Sequence, residues 1–249
     1  MFRSHRKLAL AIGISDYERN IRLPNTINDA RDMSSKLGDI GFIIDEPKLN
    51  LTYENMKDIL GKFTDSIRQG DMVLIYFAGH GTQWEDQNFL IPKDDGEIQD
   101  TNIHEQAVHL QKFLENIDSR HPFATIILLD CCRTYYLRSE PLIKATARSL
   151  NSNTSNPIGL KEMIVKAGML IAYACAPGTI ANDVPNERNG LFTKHLLEHI
   201  GTPNKDIRMV VANVTNGVKA ESRWKQIPHL TTNLSAENVY LFELSPGKY

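Results

Sequence analysis

Five apolar or β-branched residues in succession, Thr125 to Leu129, end abruptly in Asp130-Cys131-Cys132-Arg133. A run this short and this apolar predicts a strand buried on both faces, as in the middle of a parallel sheet. A carboxylate, two thiols and a guanidinium at its carboxyl end are expensive to bury for structure alone. In open α/β sheets, ligands and chemistry collect at the carboxyl ends of the strands. The expectation is that one of the two thiols is a nucleophile.

The rest of the chain supplies a sheet for that strand. Leu8 to Ile14 reads as a first strand. Ile27, Ala30, Met33 and Leu37 recur at helical spacing, with Gly38 and Gly41 as the stop. Phe42 to Ile44 gives a short strand. Thr52 is the expected N-cap of a helix reaching about Arg68 and ending at Gln69-Gly70. Met72 to Ala78 is a further buried strand, expected to break at Gly79-His80-Gly81. An extended piece over Asn88 to Ile91 and a helix from about Gln106 to Asp118 precede the strand at 124–130. Residues 134–160 lose periodicity and read as a long mobile loop. A strand from Gly168 to Cys175, a loop from Ala176 to Asn189, helices at about 190–200 and 206–220, and a last strand from Asn238 to Leu244 complete the chain. This alternation predicts one mostly parallel sheet with helices on both faces, in a single domain.

Composition narrows the function. A net charge of −2 argues against a dedicated nucleic-acid or anionic-membrane surface. Three cysteines, two of them adjacent, do not build a secreted disulfide framework. No apolar run approaches the roughly 18 residues of a membrane span. The apolar stretch after the basic N-terminus reads as the first strand, not as a signal peptide. The expected compartment is the reducing cytoplasm, with the sequons at Asn50, Asn153, Asn213 and Asn233 left unmodified. Asp94-Asp95 is acidic but defines no calcium site, so calcium stays open. His195-Leu-Leu-Glu-His199 matches a zinc-peptidase pattern, but no third ligand follows it; the expected reading is an amphipathic surface helix and no metal.

Two buried strands thus end in reactive groups, at His80 and at Cys131/Cys132. A thiol is mostly protonated at neutral pH, and a neighbouring imidazole generates the thiolate and later protonates the leaving amine. Gly79 and Gly81 are expected to give the backbone freedom to aim that imidazole, and Gly81 to leave its N–H available to an oxyanion.

Tyr76-Phe-Ala-Gly-His-Gly and Leu128-Leu-Asp-Cys-Cys-Arg resemble the His and Cys motifs of the caspase-like cysteine peptidases. Tyr173-Ala-Cys-Ala-Pro-Gly, followed by Asn189-Gly-Leu-Phe-Thr, resembles the start of that family's small subunit. The His precedes the Cys by 52 residues, the family's order and spacing. The resemblance runs from Lys7 to Leu244. It implies a caspase-like αβα sandwich, with a large-subunit part to about residue 135, an inter-subunit loop over 136–165 and a small-subunit part from 166. It implies Cys132 as nucleophile, His80 as base, the N–H groups of Gly81 and Cys132 as oxyanion donors, and Cys131 facing the core.

The branch of the family decides the substrate. Caspases cut after Asp with two arginines in the S1 pocket; those positions here hold Leu23 and Asp183, and the Gln two residues before the Cys is Asp130. Metacaspases and paracaspases carry acidic residues there, and Asp29, Asp130 and Asp183 resemble that pattern. An incoming guanidinium relieves the repulsion among such carboxylates and binds them bidentately. The resemblance therefore implies an endopeptidase cutting protein substrates after Arg, then Lys, in cell-death or immune signalling. Cys132-Arg133-Thr134 is closer to paracaspases than to the usual metacaspase Cys-His-Ser-Gly. Paracaspases carry further modules, so the expectation is a catalytic domain excised from a longer protein. Self-cleavage is expected at Arg138, Lys144 or Arg148, and homodimerisation through the last strand at about 238–244. The competing readings are an Asp-specific caspase and a catalytically silent scaffold. Asp29 also reads as a first-turn carboxylate, Asp130 as a strand-end cap and Asp183 as a solvated loop residue.

Overall fold

The computed structural model describes residues 5–132, 160, 162–163, 165–176 and 187–244, and for Cys132 it describes the backbone. Its strands are β1 (Lys7–Gly13), β2 (Ile43–Ile44), β3 (Lys48–Leu49), β4 (Met72–Trp84), β5 (Gln87–Leu90), β6 (Val108–His109), β7 (Ala124–Cys132), β8 (Met169–Tyr173) and β9 (His229–Thr232). The helices are α1 (Thr26–Asp39), α2 (Tyr53–Ser66), α3 (Ile103–Gln106), α4 (Leu110–Asp118), α5 (Leu191–His199) and α6 (Ile207–Glu221). The sheet runs β2-β1-β4-β7-β8-β9, parallel except for β9 at the end.

Alternate residues of each central strand serve two cores. Ala9, Ala11, Leu74, Tyr76, Ile126, Leu128, Leu170 and Ala172 pack with residues of α1, α5 and α6. Leu8, Leu10, Ile12, Val73, Ile75, Phe77, Ile127, Leu129, Met169 and Ile171 pack with residues of α2 and α4. Both sheet faces are therefore covered, which is why these strands read as continuous apolar runs. The architecture is the expected α/β sandwich.

Four local expectations need correction. β4 does not break at Gly79 but continues to Trp84. Its second half has two partners: β7 as far as the His80–Cys132 pair, then antiparallel β5 from Gly81–Leu90. The helix expected from Gln106 begins at Leu110, because Val108 and His109 are drawn into pairing with β5. His109 Nδ1 then accepts from Lys112 N at 3.0 Å as the cap. Thr52 occupies the N-cap position of α2 without a side-chain cap bond; Asp94 Oδ1 instead accepts from Tyr53 N at 2.8 Å. Asn238 to Leu244 is no sheet strand. Val239 and Leu241 are buried, as their alternation suggested, but their backbone serves the turn before α6. Ile207 N donates to Val239 O (2.9 Å), Val239 N to Asp206 Oδ2 (2.8 Å), and Lys7 Nζ clamps Leu241 O (3.0 Å). Among the described residues the sheet ends at β9, and 238–244 is not one of its strands. The loop expected over 134–160 and most of that over 176–189 lie outside the described residues.

Candidate active site

Two strands carry the reactive positions. β4 and β7 pair in register from Met72–Ala124 to His80–Cys132, so the backbone of Cys132 stands directly opposite that of His80. Neighbouring strands lie about 4.8 Å apart, and both residues are at the carboxyl end of the sheet.

His80 is buried and held at two points. Its backbone N–H donates to Tyr17 Oη at 2.7 Å, and the Tyr17 ring lies tilted over the imidazole at 4.4 Å between centroids. Its Nε2 is 3.0 Å from Ile21 O. A carbonyl only accepts, so Nε2 carries the proton and Nδ1 is the basic nitrogen. The turn that presents Ile21 O is itself fixed from below. The buried carboxylate of Asp95 accepts from Arg19 N (2.8 Å), Asn20 N (3.3 Å) and Asn20 Nδ2 (2.6 Å). Asp94 and Asp95 thus both terminate backbone N–H groups.

The glycines around His80 do not supply the conformational freedom expected of them. Neither has a positive φ; they lie in extended strand. They leave room. A Cβ at Gly79 would stand 2.7 Å from Tyr17 Oη, and one at Gly81 3.0 Å from Leu160 Cδ2 and 3.4 Å from Cys131 Sγ. Cys131 is a buried thiol in the core beneath α2 and α4.

Beside this pair sit two carboxylates from distant parts of the chain. Asp29 is buried in the first turn of α1, but the N-terminus it serves belongs to α5: Gly190 N, at the start of α5, donates to Asp29 Oδ1 at 3.0 Å. Asp130, two residues before Cys132, accepts from Thr193 Oγ1 at 2.6 Å. Asp29 Oδ2 and Asp130 Oδ2 each lie 3.3 Å from the point where a Cβ on Gly190 would stand, so a side chain there would fill the space between them. Tyr76 Oη is 2.5 Å from Thr193 Oγ1. Burial first, then the charges of Asp29 and Asp130, push the Tyr76 hydroxyl well above its ordinary pKa, so it stays protonated. Thr193 gives its one proton to Asp130, so Tyr76 donates to Thr193 and the chain runs Tyr76–Thr193–Asp130. The segment leading into α5 is tied to α1 by Arg188 on Asp32 (2.6 and 2.7 Å) and Asn189 Nδ2 on Asp32 Oδ2 (2.9 Å). The Arg188 hydrogen bond, against the opposing effect of burial, lowers the Asp32 pKa.

Of the residues singled out in the sequence, His80, Gly81 and the backbone of Cys132 come together at one end of the sheet, and Asp29 and Asp130 meet beside Gly190. Asp183, Arg138, Lys144 and Arg148 lie outside the described residues. Tyr17, Tyr76 and Thr193 were not foreseen as supports. The signal for Tyr76 was present: a lone hydroxyl inside a fully apolar run must find a buried partner.

Residues 6–240 match the family described as Caspase domain. The chain belongs to the caspase-domain family. Within that family it is 24% identical over 247 residues to the human mucosa-associated lymphoid tissue lymphoma translocation protein 1, covering 98% of this chain and 28% of that one. It is 24% identical over 277 residues to metacaspase-5 of Trypanosoma brucei brucei, covering 96% of this chain and 53% of the relative. These relatives place it on the paracaspase and metacaspase side. The chain spans about a quarter to a half of the length of these relatives. In fold it is similar to the crystal structure of caspase-1 from Spodoptera frugiperda, with a TM-score of 0.67 and 16% identity over 98% of this chain and 92% of that one. As a caspase domain it carries the scaffold of a cysteine-peptidase family. None of its described helices is long and apolar enough to cross a membrane.

Proposed function

We propose that this caspase domain is a cysteine endopeptidase that cuts protein substrates after Arg and, less well, Lys. Cys132 attacks the scissile carbonyl, and His80 Nδ1 takes its proton and returns it to the leaving amine. The N–H groups of Gly81 and Cys132 receive the oxyanion. Water, deprotonated by the same imidazole, then releases the acyl group. Asp29 and Asp130, with Asp183, form the acidic S1 wall.

The observation that carries this reading is the convergence of two carboxylates on Gly190, at the same sheet end as the His80–Cys132 register pair. Two neighbouring anions held by donors on α5 favour a cationic P1 side chain and repel an aspartate. That distinguishes the reading from an Asp-specific caspase. Self-cleavage at Arg138, Lys144 or Arg148, a cytoplasmic setting and homodimerisation belong to the same proposal. With residues 238–244 outside the sheet's hydrogen-bonded order, the edge for a second copy is β9.

The test is hydrolysis of peptide amides with Arg, Lys or Asp at P1, with Cys132→Ala as control. Turnover of Arg over Lys, none after Asp and none by the variant is expected. Cleavage after Asp, or equal rates in the variant, overturns the proposal.

A further inference from the structure

The helix that supports the acidic pair carries a second cluster at its other end. α5 holds His195, Glu198 and His199 at i, i+3 and i+4, which places them on one side of the helix. One ligand atom from each lies within 4.8 Å of the other two. His195 Nδ1 and Glu198 Oε2 are 3.1 Å apart. With bonds of about 2.0–2.1 Å, a tetrahedral ion spaces its ligand atoms about 3.4 Å apart. Those two atoms already stand near that spacing, and Glu198 and His199 are exposed enough to adjust.

The surroundings favour an ion as well. His195, expected on a surface helix, is buried against α6. Its Nε2 is 3.0 Å from Glu221 Oε2, whose other oxygen is held by Lys194 Nζ at 2.8 Å. A carboxylate behind one ring nitrogen fixes the proton there and leaves the lone pair on the other nitrogen, the one beside Glu198, as behind metal-bound histidines. The ring reaches this place only because residue 217 is glycine: a Cβ there would stand 2.5 Å from His195 Nδ1. Besides Glu221, the carboxylates of Glu187 and Glu198 also act on Lys194, so acidic groups outnumber this one ammonium.

We propose that His195, Glu198 and His199 form a zinc-class divalent-cation site, with Glu221 as its outer carboxylate and a fourth position open to water. Two imidazoles and one carboxylate suit Zn²⁺ and not a hard cation such as Ca²⁺. The site is separate from the Cys132–His80 centre and does not depend on the activity proposed for it. The sequence pattern reads as lacking a third ligand after His199. In the fold Glu198 is a ligand, and the missing support comes from α6.

The competing state is a His195 imidazolium bridging Glu198 and Glu221, with no affinity for metal. Calorimetric titration of ZnCl₂ into the full chain carrying Cys132→Ala separates the two and removes the catalytic thiol as a competitor. Thermal unfolding is followed in parallel, since an ion that binds only the folded state raises Tm. One equivalent of zinc and a raised Tm are expected. His199→Gln and Glu198→Gln should each weaken binding at least tenfold. Glu221→Gln, which removes no ligand, should weaken it roughly 10–100-fold. No heat and no Tm shift with the parent overturns the proposal in favour of the imidazolium. Undiminished binding in His199→Gln also overturns it, because the ion then sits elsewhere.

Discussion

The Tyr76–Thr193–Asp130 chain makes a quantitative demand on stability. Thr193 is fully buried, and its hydroxyl is the only described partner of Tyr76 Oη. Thr193→Val keeps the shape and removes that hydroxyl. It loses a hydrogen bond to an ionised acceptor, about 1.5–3 kcal/mol, and strands the buried Tyr76 hydroxyl at a further cost of about 1–3 kcal/mol. The single variant should therefore lose about 2.5–6 kcal/mol. Tyr76→Phe alone gives up one neutral bond, about 0.5–1.5 kcal/mol. In the Thr193→Val background the same change removes the stranded group, and it should restore about 1–3 kcal/mol. Urea unfolding of all four proteins, on a Cys132→Ala background, measures the cycle. If Tyr76→Phe costs the same with and without Thr193, the hydroxyls are not coupled and the support assigned to Asp130 is wrong.

Other outcomes follow from single contacts. Gly217→Ala should raise helix propensity by about 1 kcal/mol in isolation, yet here it should destabilise, because the new Cβ meets the His195 ring at 2.5 Å; a gain in Tm would refute that packing. Gly79→Ala should push Tyr17 Oη off the His80 N–H and lower kcat/KM for Arg amides, with the near-ultraviolet circular dichroism preserved; unchanged kinetics would mean Tyr17 does not position His80. Burial opposes ionisation of Asp206, but hydrogen bonds from the Arg208 side chain and from the N–H groups of Val239 and Arg208 outweigh it, so its folded-state pKa lies below its ordinary value. Its contribution is complete above the ordinary aspartate pKa of about 3.9 and is lost as pH falls through the folded value. Asp206→Asn should be less stable than the parent at pH 7, with the gap closing in acid; a gap independent of pH would exclude the ionised cap.

The central strands were legible because both sheet faces are covered, so Leu74, Ile75, Ile126 and Ile127 all had to be apolar. The two helices after β8 were legible because their buried residues, such as Val210, Val211, Val214 and Val218, recur at helical spacing. Partner choice was not. Val239 and Leu241 alternate as a strand does, but alternation reports burial on one side and not which backbone supplies the hydrogen bonds. His229–Thr232, half exposed and polar, gave no comparable signal and yet closes the sheet. Gly79 and Gly81 were read as a break because glycine is rare in strands. Crowding by Tyr17 and Leu160 made glycine necessary there without interrupting the pairing.

The order of residues alone determined the alternating architecture and the placement of His80 and Cys132 at the carboxyl end of the parallel strands, because both depend on local periodicity and residue chemistry; the acidic candidates came from the resemblance to metacaspases and paracaspases. Tertiary structure decided the rest. Asp29 and Asp130 are about a hundred residues apart, and only the docking of α5 on α1 and β7 brings both to Gly190. His195 and Glu221 likewise meet only because α5 and α6 pack through Gly217. Contacts between distant segments are set by the packing of whole elements, and no short window of sequence contains that information.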